Sequence, residues 1–420
     1  MRSVVVGFAA VFLVLIGAGV AVLSLARTPA PVRIGVLHSL SGTMAISERS
    51  LVDAATMAVE EINAAGGVLG RPLEMVIADG QSDPVVFAAE AERLITQEQV
   101  VALFGTWTSV SRKAVKDVVE KFDHLLFYPL QYEGLEASEN IVYLGAAPNQ
   151  QILPAVRWAL TNLGPRFYLV GSDYLFPRAA NAIITDQLSR WPAEIVGEDY
   201  VLLGSQDVDR VVASIAAAKP DVILNTINGD TNVAFYQAML KAGMTAGVVP
   251  TVAFSIAEEE MRQLPADAMT GHYAAWSYFQ SLPGTANLQF VQRFQRRFGA
   301  DRVTSDPIES SYVAVHLFAD AVEAAGSTEP GDVRPQVRER AYEGPGGFVF
   351  IDGMNHHAWK TVRVGRIRND GQFDVVWSSA HPIPPLPFPP LRPPEAWATF
   401  LDTLQRGWGG RWENPGPVSP

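Results

Sequence analysis

The 420-residue sequence predicts an α/β fold of two doubly wound, Rossmann-like lobes, with a hinge and a ligand cleft between them. Three observations predict it. Apolar runs of strand length alternate with stretches of helical spacing. Four of those runs end abruptly in small polar residues: 100–105 runs into Thr106, Trp107, Thr108 and Ser109; 167–171 into Ser172, Asp173 and Tyr174; 222–226 into Asn228, Gly229 and Asp230; 249–254 into Ser255 and Glu258. Ligands of open parallel sheets bind outside the carboxyl ends of the strands, so four polar ends describe a pocket for a small polar molecule. Finally, the alternation halts near residues 145–151 and begins again.

Residues 32–37 read as a buried strand, and after the polar loop 39–43 the apolar spacing of Leu51, Ala55, Met57, Val59 and Ile62 predicts a helix stopped by Gly66-Gly67. A strand at 73–78, a helix at 85–97, a strand at 100–105, a helix at 111–122 and a strand at 125–128 complete the first unit. The second runs helix 153–163, strand 167–171, helix 179–190, strand 194–201, helix 208–218, strand 222–226, helix 232–242 and strand 249–254. Segments 287–297 and 310–325 are further helices, and 348–351 with 361–368 read as a terminal hairpin broken at Asp352-Gly353. Residues 381–394 are dominated by proline and extended. Trp397, Phe400, Leu401, Leu404 and Trp408 then fall at helical spacing: a terminal helix that docks on the body, or one that meets a partner or a membrane surface. Residues 409–420 look loose.

Composition sets limits. With 48% hydrophobic and 18% charged residues the chain is globular, and its net charge of −12 argues against nucleic acid or anionic lipid as partner. There is no cysteine, which removes disulfides, thiolate metal sites and cysteine nucleophiles together. Residues 4–26 form an uncharged apolar run behind Arg2, long enough to span a bilayer, and Ser24-Leu25-Ala26 has the small residues of a cleavage site. Residues 1–31 are therefore a signal peptide or an N-terminal membrane anchor. Both place the rest of the chain outside the cytoplasm, which the resemblance given below narrows to the periplasm.

Two α/β lobes joined by several strands close around a ligand by a hinge motion. Nine segments carry a resemblance: HSLSGTMAIS (38–47), INAAGGVLGRP (62–72), TSVSRKAV (108–115), YPLQYEGLE (128–136), GAAPNQQ (145–151), GSDYLFPR (171–178), NGDTN (228–232), SIAEEE (255–260) and GHYAAWSYFQS (271–281). On these the chain resembles the type I periplasmic substrate-binding proteins, and within them the urea and short-chain amide branch. The resemblance implies an extracytoplasmic receptor that captures urea or a short amide and hands it to the permease of an ABC importer. Two alternatives stay open: a membrane-tethered amide sensor acting through a signalling partner, and a branched-chain amino acid receptor of the same fold. The division expected is lobe 1 at 32–149 and 276–345, lobe 2 at 150–275 and 346–380, and a proline-rich extension at 381–420 with a short amphipathic helix. The extension lies outside the family pattern.

Urea and small amides present one carbonyl acceptor and several N–H donors without net charge, so the pocket needs both kinds of partner. Ser109, where a strand becomes a helix, suits the carbonyl oxygen; an N-cap role is the alternative, which Ser111 fills equally well. Asp230 and Glu258 are candidate acceptors for ligand N–H groups, or solvated carboxylates at helix starts. Asn228 and Ser255 stand at the same strand ends. Tyr128, Tyr132 and Tyr174 wall the site or belong to the core. Trp107 is a candidate lid. Asn149 and Gln150, at the crossover, serve the hinge or the ligand. No Gly-x-Ser-x-Gly elbow, Walker motif or dinucleotide glycine pattern is present, and His356-His357, pointing to opposite faces of a strand, make a poor metal pair. The sequence therefore carries no catalytic, metal or cofactor assignment.

Overall fold

The computed structural model describes residues 30–416; the apolar run 4–26 and residues 417–420 lie outside the described residues. Lobe 1 begins with β1 (Val32–His38), α1 (Ala45–Ala64), β2 (Leu73–Asp79), α2 (Pro84–Thr96), β3 (Leu103–Gly105), α3 (Ser109–Lys121), β4 (Leu126–Tyr128) and β5 (Ile141–Tyr143). Its strands form a parallel sheet in the order β2-β1-β3-β4-β5. Each strand is followed by a crossover, as parallel pairing requires, and the helices bury the apolar runs on both faces.

The chain crosses to lobe 2 through a short 3-10 turn at Pro148–Gln150. There follow α4 (Ile152–Asn162), β6 (Arg166–Ser172), α5 (Leu175–Leu188), β7 (Glu194–Val201), α6 (Asp209–Ala218), β8 (Val222–Thr226), α7 (Thr231–Lys241), β9 (Thr251–Ala253), the short helices α8 (Glu258–Met261) and α9 (Ala266–Met269), and β10 (Tyr273–Trp276). The chain returns to lobe 1 for α10 (Thr285–Phe298), α11 (Asp306–Ala325), α12 (Pro330–Val337) and a small antiparallel sheet of β11 (Ala341–Gly344), β12 (Gly347–Ile351) and β13 (Ala358–Trp359). It crosses a third time for β14 (Arg363–Ile367) and β15 (Phe373–Ser378), completing a seven-stranded sheet, β15-β14-β10-β9-β8-β6-β7. A final helix, α13 (Pro394–Gly407), packs on lobe 2.

The crossings are tightly held. A Cβ on Gly145 would lie 1.8 Å from the carbonyl carbon of Leu130, so only glycine lets the first crossing pass the loop after β4. Gln151 Nε2 donates to the carbonyls of Phe254 (3.2 Å) and Ala275 (2.6 Å), tying the first crossing to the second. Asp306, opening α11, accepts from the backbone N–H groups of Ser277 and Tyr278, both at 2.9 Å. α11 then runs through the lobe 1 core, where Phe318 meets Phe104 and Phe127 edge-on.

Three expectations are corrected. Segments 348–351 and 361–368 are not a hairpin: β12 pairs with β11 and β13, whereas β14 pairs with β10 and β15. The reason is burial. Val349, Ile351 and Ala358 enter the lobe 1 core, and the His357 ring stacks on Tyr143 at 4.1 Å between centroids. Residues 346–359 therefore belong with lobe 1 instead of lobe 2. Residues 408–416, after α13, are not loose, since Trp412 and Asn414 are hydrogen-bonded to lobe 2; the rest of the segment expected to be loose, 417–420, lies outside the described residues.

Candidate functional site

The two sheets bring their strand ends together, and the lobes touch there directly. Trp107 Nε1 donates to Asn228 Oδ1 at 3.3 Å. Gln131 Nε2 donates to the Phe254 carbonyl at 2.9 Å and reaches Ser255 Oγ at 3.4 Å. Thr43 Oγ1 donates to Asp230, whose own N–H returns a bond to the Thr43 carbonyl at 3.3 Å. Ser47 Oγ donates to Glu260 Oε1 at 2.5 Å. Each pair joins a lobe 1 loop or helix start to a loop or helix at the lobe 2 strand ends, so the two lobes are in direct contact across the cleft.

On the lobe 1 wall the first turn of α3 is capped by Thr108, whose hydroxyl accepts from the Ser111 N–H at 3.1 Å. The cap thus falls to neither Ser109 nor Ser111. Ser109 is left with its hydroxyl facing a buried ion cluster: it donates to Glu133 and accepts from Arg112 Nη1 at 3.0 Å. Arg112 is fully buried, with Nη2 on Glu133 at 2.6 Å and Nε on Glu136 at 3.1 Å. Lys113 reaches the other Glu136 oxygen at 2.5 Å. Burial opposes the Arg112 charge, but Glu133 and Glu136 outweigh it and hold the guanidinium well above its ordinary value. Burial likewise raises the Glu136 carboxyl, yet Arg112 and Lys113 prevail and bring it down to about 2. Two cations face two carboxylates, so the cluster is neutral.

The tyrosines close around this cluster. Tyr128 donates to the Trp107 carbonyl at 2.7 Å, fixing the loop that carries Trp107. Tyr132 donates to the Glu136 carbonyl at 2.9 Å, and its ring lies 4.6 Å from the Arg112 guanidinium. Tyr174 is buried on the lobe 2 side. Burial raises all three hydroxyls, so they stay protonated as donors.

The structure thus assembles Trp107, Ser109, Tyr128, Tyr132, Tyr174, Asn228, Asp230 and Ser255 around the strand ends. Glu258 is placed otherwise. Its Oε1 accepts from the Gln280 N–H at 2.7 Å, and it lines a cavity with Met261, Met269 and Ile367 within lobe 2. Burial pushes its carboxyl up to about 8. The carboxylate that reaches across is Glu260, two residues on, which burial raises to about 7. Asn149 and Gln150 hold chain at the crossing: Asn149 pairs with the Pro384 carbonyl and the Leu386 N–H, and Gln150 donates to the carbonyls of Ala358 and Ile383. His357 is occupied by Tyr132 and the Asn355 carbonyl, and burial lowers it to about 4. Among the described residues no group of three or more His, Cys, Asp or Glu is placed to hold a metal ion, and no helix is long and apolar enough to cross a membrane.

Arg112, Glu133, Glu136, Gln131, Thr43 and Glu260 have no individual role that the sequence alone assigns. One signal was available. Arg112 is in phase with Val115 and Val119 on the buried face of α3, where a charge needs a buried partner.

Fold and cleft together define a class, the two-lobed solute-binding proteins whose ligand sits between opposed strand ends. The chain belongs to the periplasmic binding protein family, whose domain model matches residues 32–394. A Leu/Ile/Val-binding protein homolog 4 from Brucella melitensis is 22% identical over 383 residues, covering 84% of this chain and 91% of that one. A Geobacillus stearothermophilus protein named limonene hydroxylase is 38% identical over 117 residues, 28% of this chain and 21% of that one, so this chain spans about a fifth of that relative. Among solved structures, a periplasmic binding protein from Burkholderia mallei superposes with a TM-score of 0.76 at 18% identity, over 84% of this chain and 95% of that one. A leucine-binding protein from Thermotoga maritima gives 0.72 at 22% identity, over 83% and 98%. A Rhodopseudomonas palustris solute-binding protein in complex with benzoate gives 0.76 at 16%, over 85% and 98%.

Proposed function

We propose that this protein is an extracytoplasmic receptor that captures urea or a short-chain amide by hinge closure and delivers it to the permease of an ABC importer. The observation that supports the neutral ligand is the neutrality of the Arg112 cluster. An amino acid or aromatic acid brings a carboxylate, which where buried is held by a cation or by a set of N–H and O–H donors, and the Arg112 cluster offers no free cation to it. Arg112 and Lys113 are both committed to Glu133 and Glu136. Urea needs only hydrogen-bond partners. The Thr106 hydroxyl and Gln131 Oε1 are buried and unpartnered, and in this reading they serve the ligand as donor and acceptor beside Ser109. Serine and tyrosine hydroxyls supply the remaining donors.

A second reading, a branched-chain amino acid receptor, is favoured by the names of the Brucella relatives. Calorimetric titration of the chain against urea, acetamide, formamide, leucine and 4-hydroxybenzoate separates the two. Saturable urea or amide binding that Gln131→Ala weakens at least tenfold supports the neutral-ligand receptor. Leucine or 4-hydroxybenzoate binding without any urea or amide response overturns it.

A further inference from the structure

The C-terminal extension does more than cover lobe 2. From β15 it runs along the crossings, where Leu135, in the lobe 1 loop that bears Glu133 and Glu136, donates its N–H to the Pro387 carbonyl at 2.8 Å. Arg392 pairs with Asp186 at 2.5 Å and lies 4.5 Å from the ring of Trp397, which is buried in the lobe 2 cluster. After α13 the chain turns back to the cleft. Leu175 donates its N–H to the Trp412 carbonyl at 2.9 Å, Glu413 forms an antiparallel bridge with Tyr174, and Asn414 binds Asp173 through backbone (2.9 Å) and side chain (2.6 Å). Asp173 and Tyr174 are the strand end of β6. The tail is therefore pinned to the lobe 2 rim of the ligand cleft.

Its contacts with lobe 1 differ in kind. The Lys113 ammonium, at the start of α3, lies 4.9 Å from the centre of the Trp412 ring. Burial raises the Glu413 carboxyl, and repulsion from Asp83, the residue that caps α2, adds to it. Val110 and Leu135 of lobe 1 belong to the same apolar cluster that Trp412 packs against. Backbone hydrogen bonds hold the strap to lobe 2, and side chains alone hold Trp412 to lobe 1.

We propose that residues 408–416 form a cross-lobe strap, with Trp412 as the positioning residue that clasps Lys113 when the lobes shut and sets how readily the cleft opens. The inference rests on the two-lobed receptor reading and not on the identity of the ligand. Opening must separate Trp412 from Lys113 while leaving Asn414 on Asp173. A cation–π contact of this exposure corresponds to about two- to five-fold in the open-to-closed ratio.

The absence of cysteine makes the test direct. Leu288→Cys on lobe 1 and Val248→Cys on lobe 2 are both exposed and take spin labels for distance measurement. The labelled chain is compared with the same chain carrying Trp412→Ala, and with one ending at Gly410, all without ligand. The strap predicts a two- to five-fold rise in the long-distance population with Trp412→Ala, an equal or larger rise on truncation, and an unchanged melting temperature for Trp412→Ala. An unchanged distance distribution in Trp412→Ala overturns it, and that variant alone decides should the truncated chain not fold. Because no ligand is added, failure of urea to bind leaves the distance comparison intact.

Discussion

Arg112 shows how one side chain can hold a wall of the cleft. It has two carboxylate partners and no solvent, so its removal leaves buried Glu133 without a cation and Glu136 with Lys113 alone. Truncating one member of a buried ion cluster costs about 3–5 kcal/mol. Arg112→Ala is expected to lose that much in urea unfolding, and Arg112→Lys to recover only part, since an ammonium cannot fork between Glu133 and Glu136. Glu258 makes a prediction of opposite electrostatic sign. Its folded carboxyl titrates near 8 against an ordinary 4.5, so above 4.5 the folded state keeps a proton that the unfolded state has released. Its contribution to stability is complete below 4.5 and is lost as pH rises through 8. Glu260 acts the same way up to about 7. His272 and His357, both lowered to about 4, work in the other direction, but only below 6.5. The melting temperature should therefore fall between pH 6.5 and 8, and Glu258→Gln should flatten that fall. A profile with the same slope in the variant would refute the assignment.

At the scale of elements, α13 is the informative case. Its apolar stripe is legible at Trp397, Phe400, Leu401 and Leu404, and the structure buries Trp397 against lobe 2 with the others packed around it. Replacing a buried tryptophan by alanine costs about 3–5 kcal/mol, more than a single surface helix can lose and stay docked. Trp397→Ala should abolish hydrogen-exchange protection across 394–407 while the β6 and β8 amides keep theirs. Equal protection in the variant would show that the helix is held by something else. The failed hairpin teaches the reverse. Strands β12 and β14 are close in sequence and strong in pattern, but β12 has apolar partners in lobe 1 and β14 pairs with β10. Alternation says that a strand has a buried face; it does not say which sheet supplies the cover.

At the scale of the whole molecule, closure is a sum of small terms. The described cross-lobe bonds include Trp107–Asn228, Gln131–Phe254, Gln131–Ser255, Thr43–Asp230, Ser47–Glu260 and Arg262–Asp301. A net hydrogen bond is worth about 0.5–1.5 kcal/mol, so no single one locks the lobes and together they bias a hinge. Thr43→Val keeps the shape and removes the donor to Asp230. In the urea-receptor reading its expected effect is a two- to ten-fold weaker urea affinity, with the loss in dissociation rate, and in either reading a larger radius of gyration in solution scattering of the ligand-free chain. An unchanged affinity would place Thr43–Asp230 outside the closing energetics.

Reading the residues in order was enough to obtain the βα alternation, the two lobes, the polar strand ends and the docking stripe of α13. Those features are local: periodicity, turn chemistry and the abrupt end of an apolar run depend on near neighbours. Ser109 and Tyr128 were legible because they lie at or just beyond strand ends. Arg112, Glu133 and Glu136 were not assigned, because three charges separated by 21 and 24 residues become, with Lys113, one neutral cluster only when β4 lies beside β3. For the same reason Glu260 reaches the cleft and Glu258 does not, a difference of two positions at the start of one short helix. The course of β12, and the return of Trp412 to the rim of the cleft, were likewise decided by tertiary structure alone. Side-chain pattern records how strongly a residue seeks burial or a partner, and only the packed chain determines which distant surface satisfies it.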